Sequence, residues 1–308
     1  MPPLTADFMG RIMMHEPVLL NEVLVWLNPR PGGRFIDCTA GYGGHAEAIL
    51  ERIGDKGRLL AVDRDPDAVL AAKERLERFG KSFFIACDNY RNLAHVAARA
   101  GISAADGILI DCGLSSVQIE SAARGFSFQS EGPLDMRMDP SQPWKLSDFL
   151  ARATESELAD TLNEFGEERY ARRIAHVIKK NIARIHSTRD LAQIVSSSVP
   201  PAYRFGRIHP ATRTFQALRI KVNDELASLE EALEAGLGIL APGGRMAVIS
   251  FHSLEDRIVK HFFRNAERVR GLGKALMKRP LEATEDEIRS NPRSRSAKLR
   301  VFERRAAE

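Results

Sequence analysis

The chain has 308 residues, 28% charged and 44% apolar, an ordinary globular composition with mass for one elaborated domain or two smaller ones. That excludes a stapled mini-protein and a wholly disordered chain. A net charge of +4 with an isoelectric point near 9.0 admits nucleic acid as a partner without requiring it.

In chain order, Met1 to Met14 lacks a charged region leading into a continuous apolar stretch, and no run of 18 apolar residues occurs anywhere, so neither a secretory signal nor a membrane span is predicted. Four short apolar runs follow, each closed by an aspartate: Arg34–Asp37, Leu59–Asp63, Phe83–Asp88 and Ile108–Asp111. The aspartates fall 26, 25 and 23 residues apart. Helix-like stretches lie between them, as from Asp67 to Phe79, where Val69, Leu70, Ala72, Leu76 and Phe79 form an apolar face. The pattern predicts strand-helix units around a parallel sheet covered on both faces. Right-handed crossovers then bring the four aspartates to one edge, the carboxyl edge, where open α/β sheets bind ligands. A single aspartate there reads equally as a helix cap.

Cys38, Cys87 and Cys112 are an odd, widely spaced set without a C-x-x-C pair, so no disulfide framework or zinc site is predicted and a reducing cytoplasm is expected. The next buried strand after Asp111, Arg245–Phe251, comes far later than a normal crossover allows. The stretch between carries helix signals. Thr154-x-x-Glu157 and Ser187-x-x-Asp190 read as capping boxes, and Ile174, Val177, Ile178 and Ile182 share one face. A helical insert is therefore placed at residues 115–215, between the two parts, 1–114 and 216–308, of a discontinuous sheet domain. From Phe215 onward, Leu218, Val222, Leu226, Leu229, Leu233, Leu237 and Leu240 step by three or four, predicting long helical structure that ends at Pro242-Gly-Gly244.

The tail from Pro292 gathers Arg293, Arg295, Lys298, Arg300, Arg304 and Arg305 against Glu303 and Glu308, and Ala297–Arg304 alternates like an antiparallel strand. The insert carries a second basic set: Arg169, Arg172, Arg173, Lys179, Lys180 and Arg184. These read as phosphate-facing or as plain solvated charge.

The loop after the first strand, Asp37-Cys-Thr-Ala-Gly41-Tyr-Gly43-Gly44-His45-Ala46, opens a helix. Its glycines permit close approach of backbone to ligand, and free amides at a helix start favour electron-rich atoms. Gly41, Gly43 and Ala46 satisfy the pattern G-x-G-x-x-G/A, and Asp63, 22 residues after Gly41, is placed to hold ribose hydroxyls. The pattern fits nicotinamide dinucleotides and S-adenosylmethionine alike.

Further blocks carry a resemblance that spans nearly the whole chain. They are His15-Glu-Pro-Val-Leu19, Asp37 to His45, Val62-Asp-Arg-Asp65, Asp111 to Ser116 with Gln118, Arg124 to Phe128, Pro133 to Met138, His209 to Phe215, Ile249 to Arg257 and Arg293 to Lys298. In these blocks and their order the chain resembles the bacterial small-subunit (16S) rRNA cytosine-N4 methyltransferase family, of the MraW or RsmH type. The resemblance implies an α/β fold with a Rossmann-like class I S-adenosylmethionine-dependent methyltransferase sheet and an inserted substrate-recognition domain. It implies that Gly43, Gly44 and His45 line the cofactor loop, that Asp63 holds the ribose diol, that Tyr90 packs on adenine, and that Asp111 and Gln118 complete the pocket near the methionine end. It implies a cytosine of the decoding region as substrate, in an assembled small subunit or late precursor.

The methyl group of a sulfonium is already activated, so transfer to an exocyclic amine needs alignment more than covalent help. Asp111 is the candidate to hold the amine, with His252 or Asp256 behind it. The [DNS]-P-P-[aromatic] element of many DNA amino-methyltransferases is absent: Asp111-Cys-Gly-Leu stands in its place, and Val199-Pro-Pro-Ala202 lacks the flanking residues. Cys112 reads as a small buried residue rather than a carbon-5 nucleophile. An NAD-dependent oxidoreductase and a non-catalytic ribosome-assembly factor are the alternatives.

Overall fold

A computed structural model describes residues 16–306 apart from 116, 117, 120 and 207. Met1 to His15, with the leader reading and the first motif residue, and Ser116 and Glu308 lie outside the described residues.

The chain divides into two compact units, Met1–Gly113 with Leu226–Glu308, and Leu114–Glu225. The first is built on one sheet: β1 Arg34–Asp37, β2 Arg58–Asp63, β3 Phe83–Cys87, β4 Ala105–Asp111, β5 Leu240–Ser250, β6 Gly273–Ala275, β7 Leu281–Glu282 and β8 Lys298–Arg304, in the order β3-β2-β1-β4-β5-β8-β6, with β7 also on β8. The five strands from β3 to β5 are mutually parallel, and β8 runs antiparallel to β5. Ile36, Leu60, Ile108, Ile110 and Val248 are buried, as runs covered on both faces require. Reversal of strand order between β1 and β4 makes the ends of these two strands a switch point, where the following loops part and leave a crevice.

The helix after β2 covers Pro66–Leu76, capped by Asp65, whose carboxylate accepts from the Asp67 amide at 3.1 Å. Its buried face is Ala68, Ala71, Ala72 and Leu76, while Leu70 is 51% exposed. The apolar face expected from Val69 and Leu70 is thus rotated by one position. The reason is close packing: a Cβ on Gly43 would stand 3.4 Å from Ala72 Cα, so the helix approaches the glycine loop with its alanines. Arg75 bridges to Glu47 at 2.6 Å, joining this helix to the one at Gly44–Ile53.

The second unit is helical. Its core gathers Leu158, Leu162, Ile174, Ile178, Leu191, Val195 and Leu218. Both capping boxes form: Thr154 caps Glu155–Gly166 and Ser187 caps Thr188–Ser198. This unit ends at Glu225 rather than at 215, because helix Ala211–Asn223 places Phe215, Ala217 and Leu218 in its core. The leucine periodicity read as long helical structure is broken at Asp224, whose φ of 50° terminates one helix before the next, Glu225–Ile239, begins. Leu240 already belongs to β5, which runs on through Pro242-Gly-Gly244.

Candidate active site

The parallel register sets Asp37, Asp63 and Asp111 at the carboxyl ends of three neighbouring strands. Asp88, one residue beyond β3, serves as a local cap: its Oδ1 accepts from the Asn89 amide at 2.7 Å and from Asn92 Nδ2 at 2.8 Å. Three of the four predicted carboxylates are thus brought together at the switch point.

The loop between β1 and its helix is held by these groups. Asp37 Oδ1 accepts from Thr39 N at 3.1 Å, and Asp63 Oδ2 accepts from Gly41 N at 2.8 Å. Asp63 Oδ1 takes the Asp65 amide at 2.9 Å. Each carboxylate oxygen keeps a second lone pair, so Asp63 can still accept a ribose hydroxyl while fixing the loop. Thr39 Oγ1 accepts from the Asp111 amide at 2.7 Å and ties the end of β4 to the same loop. Gly41 and Gly43 have φ of 49° and 78°, conformations that glycine adopts without a Cβ penalty. At Gly44 the restriction is space, since a Cβ there would fall 2.4 Å from Pro17 Cγ.

His45 is buried, with Nε2 3.1 Å from the Val18 carbonyl oxygen and Nδ1 3.9 Å from Asp111 Oδ2. The segment Pro17–Leu19 therefore forms a wall beside the glycine loop. Tyr90 opens the short turn Tyr90–Asn92 after β3 and lies half-buried against the sheet core, on the same edge as Asp63. Gln118 belongs to the second unit, where it is buried and its Oε1 accepts from Ser115 N at 3.1 Å.

Glu255 extends the sequence reading, and the expected His252 takes a capping role beside it. Glu255 is buried after β5, accepting from Phe251 N at 2.8 Å, and its charge bears on Asp111. His252 caps the helix Ser253–Arg268 through its Nδ1 and faces Glu255 Oε1 at 3.1 Å. The spacing His252-x-x-Glu255 is a capping-box pattern and was the available signal. Asp256 is engaged by Arg300 at 2.7 and 3.1 Å, a structural pair. Cys112 is buried at 3% exposure, which suits a packing role.

Burial pushes the Asp37 carboxyl up to about 7, with the charge of Asp63 adding to it, and burial pushes Asp63 up to about 6. Asp111 is raised well above the usual carboxylate range by burial and by the charges of Asp37 and Glu255. Asp37 Oδ2 and Asp111 Oδ1 are buried and accept no hydrogen bond from any described residue. Such atoms call for a donor or a cation. A dinucleotide would set its pyrophosphate beside these carboxylates, a like-charge arrangement. S-adenosylmethionine carries a sulfonium, an amino cation and a ribose diol, which match the unsatisfied oxygens and Asp63.

A parallel sheet extended by an antiparallel strand, with a glycine turn after β1 and acid at the switch point, is the arrangement of a Rossmann-like methyltransferase. Residues 12–305 match the MraW methylase family. A "Ribosomal RNA small subunit methyltransferase H" of Nostoc sp. is 50% identical over 304 residues, covering 99% of this chain and 96% of its own. Its namesake from Heliobacterium modesticaldum is 46% identical over 312 residues, covering 95% and 99%. Among solved structures, a SAM-dependent O-methyltransferase from Thermotoga maritima aligns over 100% of this chain and 73% of its own, at 10% identity and a TM-score of 0.43. The chain belongs to the MraW methylase family.

Proposed function

We propose that this protein transfers the methyl group of S-adenosylmethionine to the N4 amine of a cytosine in the 16S rRNA of the small ribosomal subunit or a late precursor. Family membership along almost the full chain supports the rRNA methylase reading. The observation that carries the chemistry is Asp111, a carboxylate at the switch point with one buried oxygen open to a donor.

When bound, the cofactor supplies an activated methyl group. Gly43 and Gly44 let the backbone approach it, Asp63 accepts from its ribose hydroxyls, Tyr90 packs on its adenine, and His45 orders the wall on which it rests. Asp37 offers its open oxygen to the cationic end. Gln118 joins this set on the family resemblance alone. Asp111 accepts a hydrogen bond from the cytosine amine and holds its nitrogen in line for attack, which lowers the barrier through positioning and electrostatics. A base in folded RNA must be unstacked to reach such an edge.

No helix among the described residues is long and apolar enough to cross a membrane. Action in the cytoplasm, where ribosomal subunits are assembled, belongs to the same proposal. Mass spectrometry of 16S rRNA nucleosides from cells with and without the protein tests it. Loss of an N4-methylated cytidine on deletion is expected, and an unchanged nucleoside profile would overturn the reading. Calorimetry against S-adenosylmethionine and NAD separates it from an oxidoreductase. Cofactor binding without transfer to subunits would leave only an assembly factor.

A further inference from the structure

The antiparallel course of β8 divides the basic tail between opposite edges of the sheet. Its register pairs Lys298 with Ser250 and Glu303 with Arg245. Lys298 therefore stands where β5 ends, on the edge that carries Asp37, Asp63 and Asp111, whereas Arg304 and Arg305 stand at the opposite edge. Two tail cations are consumed by the fold. Arg300 is paired with Asp256, and Arg304 donates to the carbonyls of Leu237, Gly238 and Leu240 at the end of helix Glu225–Ile239.

The run Pro292–Lys298 precedes both. It holds Arg293, Arg295 and Lys298 and contains no acid. Its backbone is fixed rather than trailing: Ser294 is fully buried and its hydroxyl donates to the Asn291 carbonyl at 2.8 Å, and Ala297 lies in the core. Asn291 Nδ2 donates to the Glu16 carbonyl at 3.1 Å, and Leu19 N donates to Glu287 Oε1 at 2.8 Å. These bonds fasten the tail to the segment Glu16–Leu19, whose Pro17 packs on Gly44 and whose Val18 carbonyl meets His45. The basic turn is thus joined to the cofactor loop through one short segment. Arg295 is exposed and Lys298 half-buried, and Arg289 just upstream is engaged by Glu285 and Asp286 at 3.5 Å each.

A polyanion brought to this edge meets the field of whichever of Asp37, Asp63, Asp111 and Glu255 are ionised, which opposes its approach. Cations must stand beside the carboxylates for the approach to be favourable. We infer that the turn Pro292–Lys298 is a phosphate-binding rim, in which Arg295 and Lys298 hold the RNA backbone flanking the nucleotide presented to Asp111. The inference rests on the rRNA methylase reading and adds to it the residues that take the sugar-phosphate chain.

The test is methyl transfer to small subunits from a methylase-deficient strain, by wild type and by the Arg295→Gln/Lys298→Gln double variant, over a salt series. For the double variant, KM for subunits rises about tenfold, and the dependence of log affinity on log salt becomes shallower by roughly 1 to 2, as for two lost phosphate contacts. The maximal rate, cofactor affinity and melting temperature stay at wild-type values. Arg295→Lys/Lys298→Arg restores KM, and Arg305→Gln at the opposite edge leaves it unchanged. An unaltered KM and salt slope in the double variant, or a loss that tracks a lower melting temperature, overturns the rim. Wild type that transfers no methyl group to subunits overturns the methylase reading, and the rim with it.

Discussion

His45 stands between Val18 and Asp111, its Nε2 3.1 Å from the backbone carbonyl of one and its Nδ1 3.9 Å from the carboxylate of the other. The Val18 carbonyl can only accept, so Nε2 donates to it and Nδ1 is the ring nitrogen turned to Asp111. Burial holds the Asp111 carboxyl well above the usual carboxylate range, and the charges of Asp37 and Glu255 add to the shift. One buried imidazole thereby connects the N-terminal segment, the glycine loop and the end of β4.

Asp111→Asn removes the charged acceptor while keeping its shape. The maximal rate of methyl transfer should fall by about two to three orders of magnitude, as for loss of a preorganised electrostatic contact. A single-turnover assay with labelled cofactor measures this, and a rate near wild type would remove Asp111 from the chemistry. In the wild type the rate should rise with pH as Asp111 ionises, and the rise should lie above the usual carboxylate range because its proton is held more tightly.

Cofactor binding should release protons at pH values below about 7. Asp37 and Asp63 hold theirs up to about 7 and about 6, and a cationic ligand favours their ionised forms. Affinity for S-adenosylmethionine therefore increases with pH across that window. Calorimetry in buffers of different ionisation enthalpy reads the released protons directly, and a binding enthalpy independent of buffer would contradict the assignment.

The same shift governs the stability of the ligand-free protein. The folded state binds the Asp37 proton more tightly than the unfolded chain, so this contribution is fully present below about pH 4 and is lost as pH rises towards 7. Asp37→Asn should flatten that fall and stabilise the ligand-free protein at neutral pH, by on the order of 4 kcal/mol at most. Denaturant midpoints measured at several pH values test the sign, and a steeper fall in the variant would refute it.

Gly44→Ala forces a methyl group against Pro17, 2.4 Å from its Cγ, so the wall or the loop must move. A loss of about 1 to 3 kcal/mol in stability is expected, with weakened cofactor binding. Gly238→Ala is the comparison: it lies in helix Glu225–Ile239, nothing lies within 4 Å of a Cβ placed there, and alanine favours the helix, so no loss is expected. Thermal melts that rank Gly238→Ala as the more damaging would show that Pro17 does not constrain the loop.

Arg300→Ala should destabilise the sheet unit by about 3 to 5 kcal/mol, because it leaves the Asp256 carboxylate without its partner in a poorly hydrated place. Arg300→Met combined with Asp256→Leu should recover most of that loss, since no unpaired charge remains. Urea unfolding of both variants measures it. A double variant no better than the single one would mean that packing, not the pair, sets the cost.

Local pattern alone determined much of this protein. Apolar runs ending in aspartate specified parallel strands and set Asp37, Asp63 and Asp111 on one edge, because strand polarity and crossover handedness are short-range matters. Capping boxes at Thr154 and Ser187 and the alternation of Lys298–Arg304 were legible for the same reason. The tertiary structure decided the rest. Sequence could not show that Leu70 faces solvent while Ala72 meets Gly43, that Asp224 breaks the leucine series, or that Arg300 and Arg304 of the basic tail are spent on Asp256 and on helix carbonyls. Nor could it bring Val18, His45 and Asp111 into line, or add Glu255 to them. Each of these depends on which distant groups share a buried volume. Burial is what raises the carboxyls of Asp37 and Asp111, and the antiparallel register of β8 is what sets Lys298 at the acidic edge.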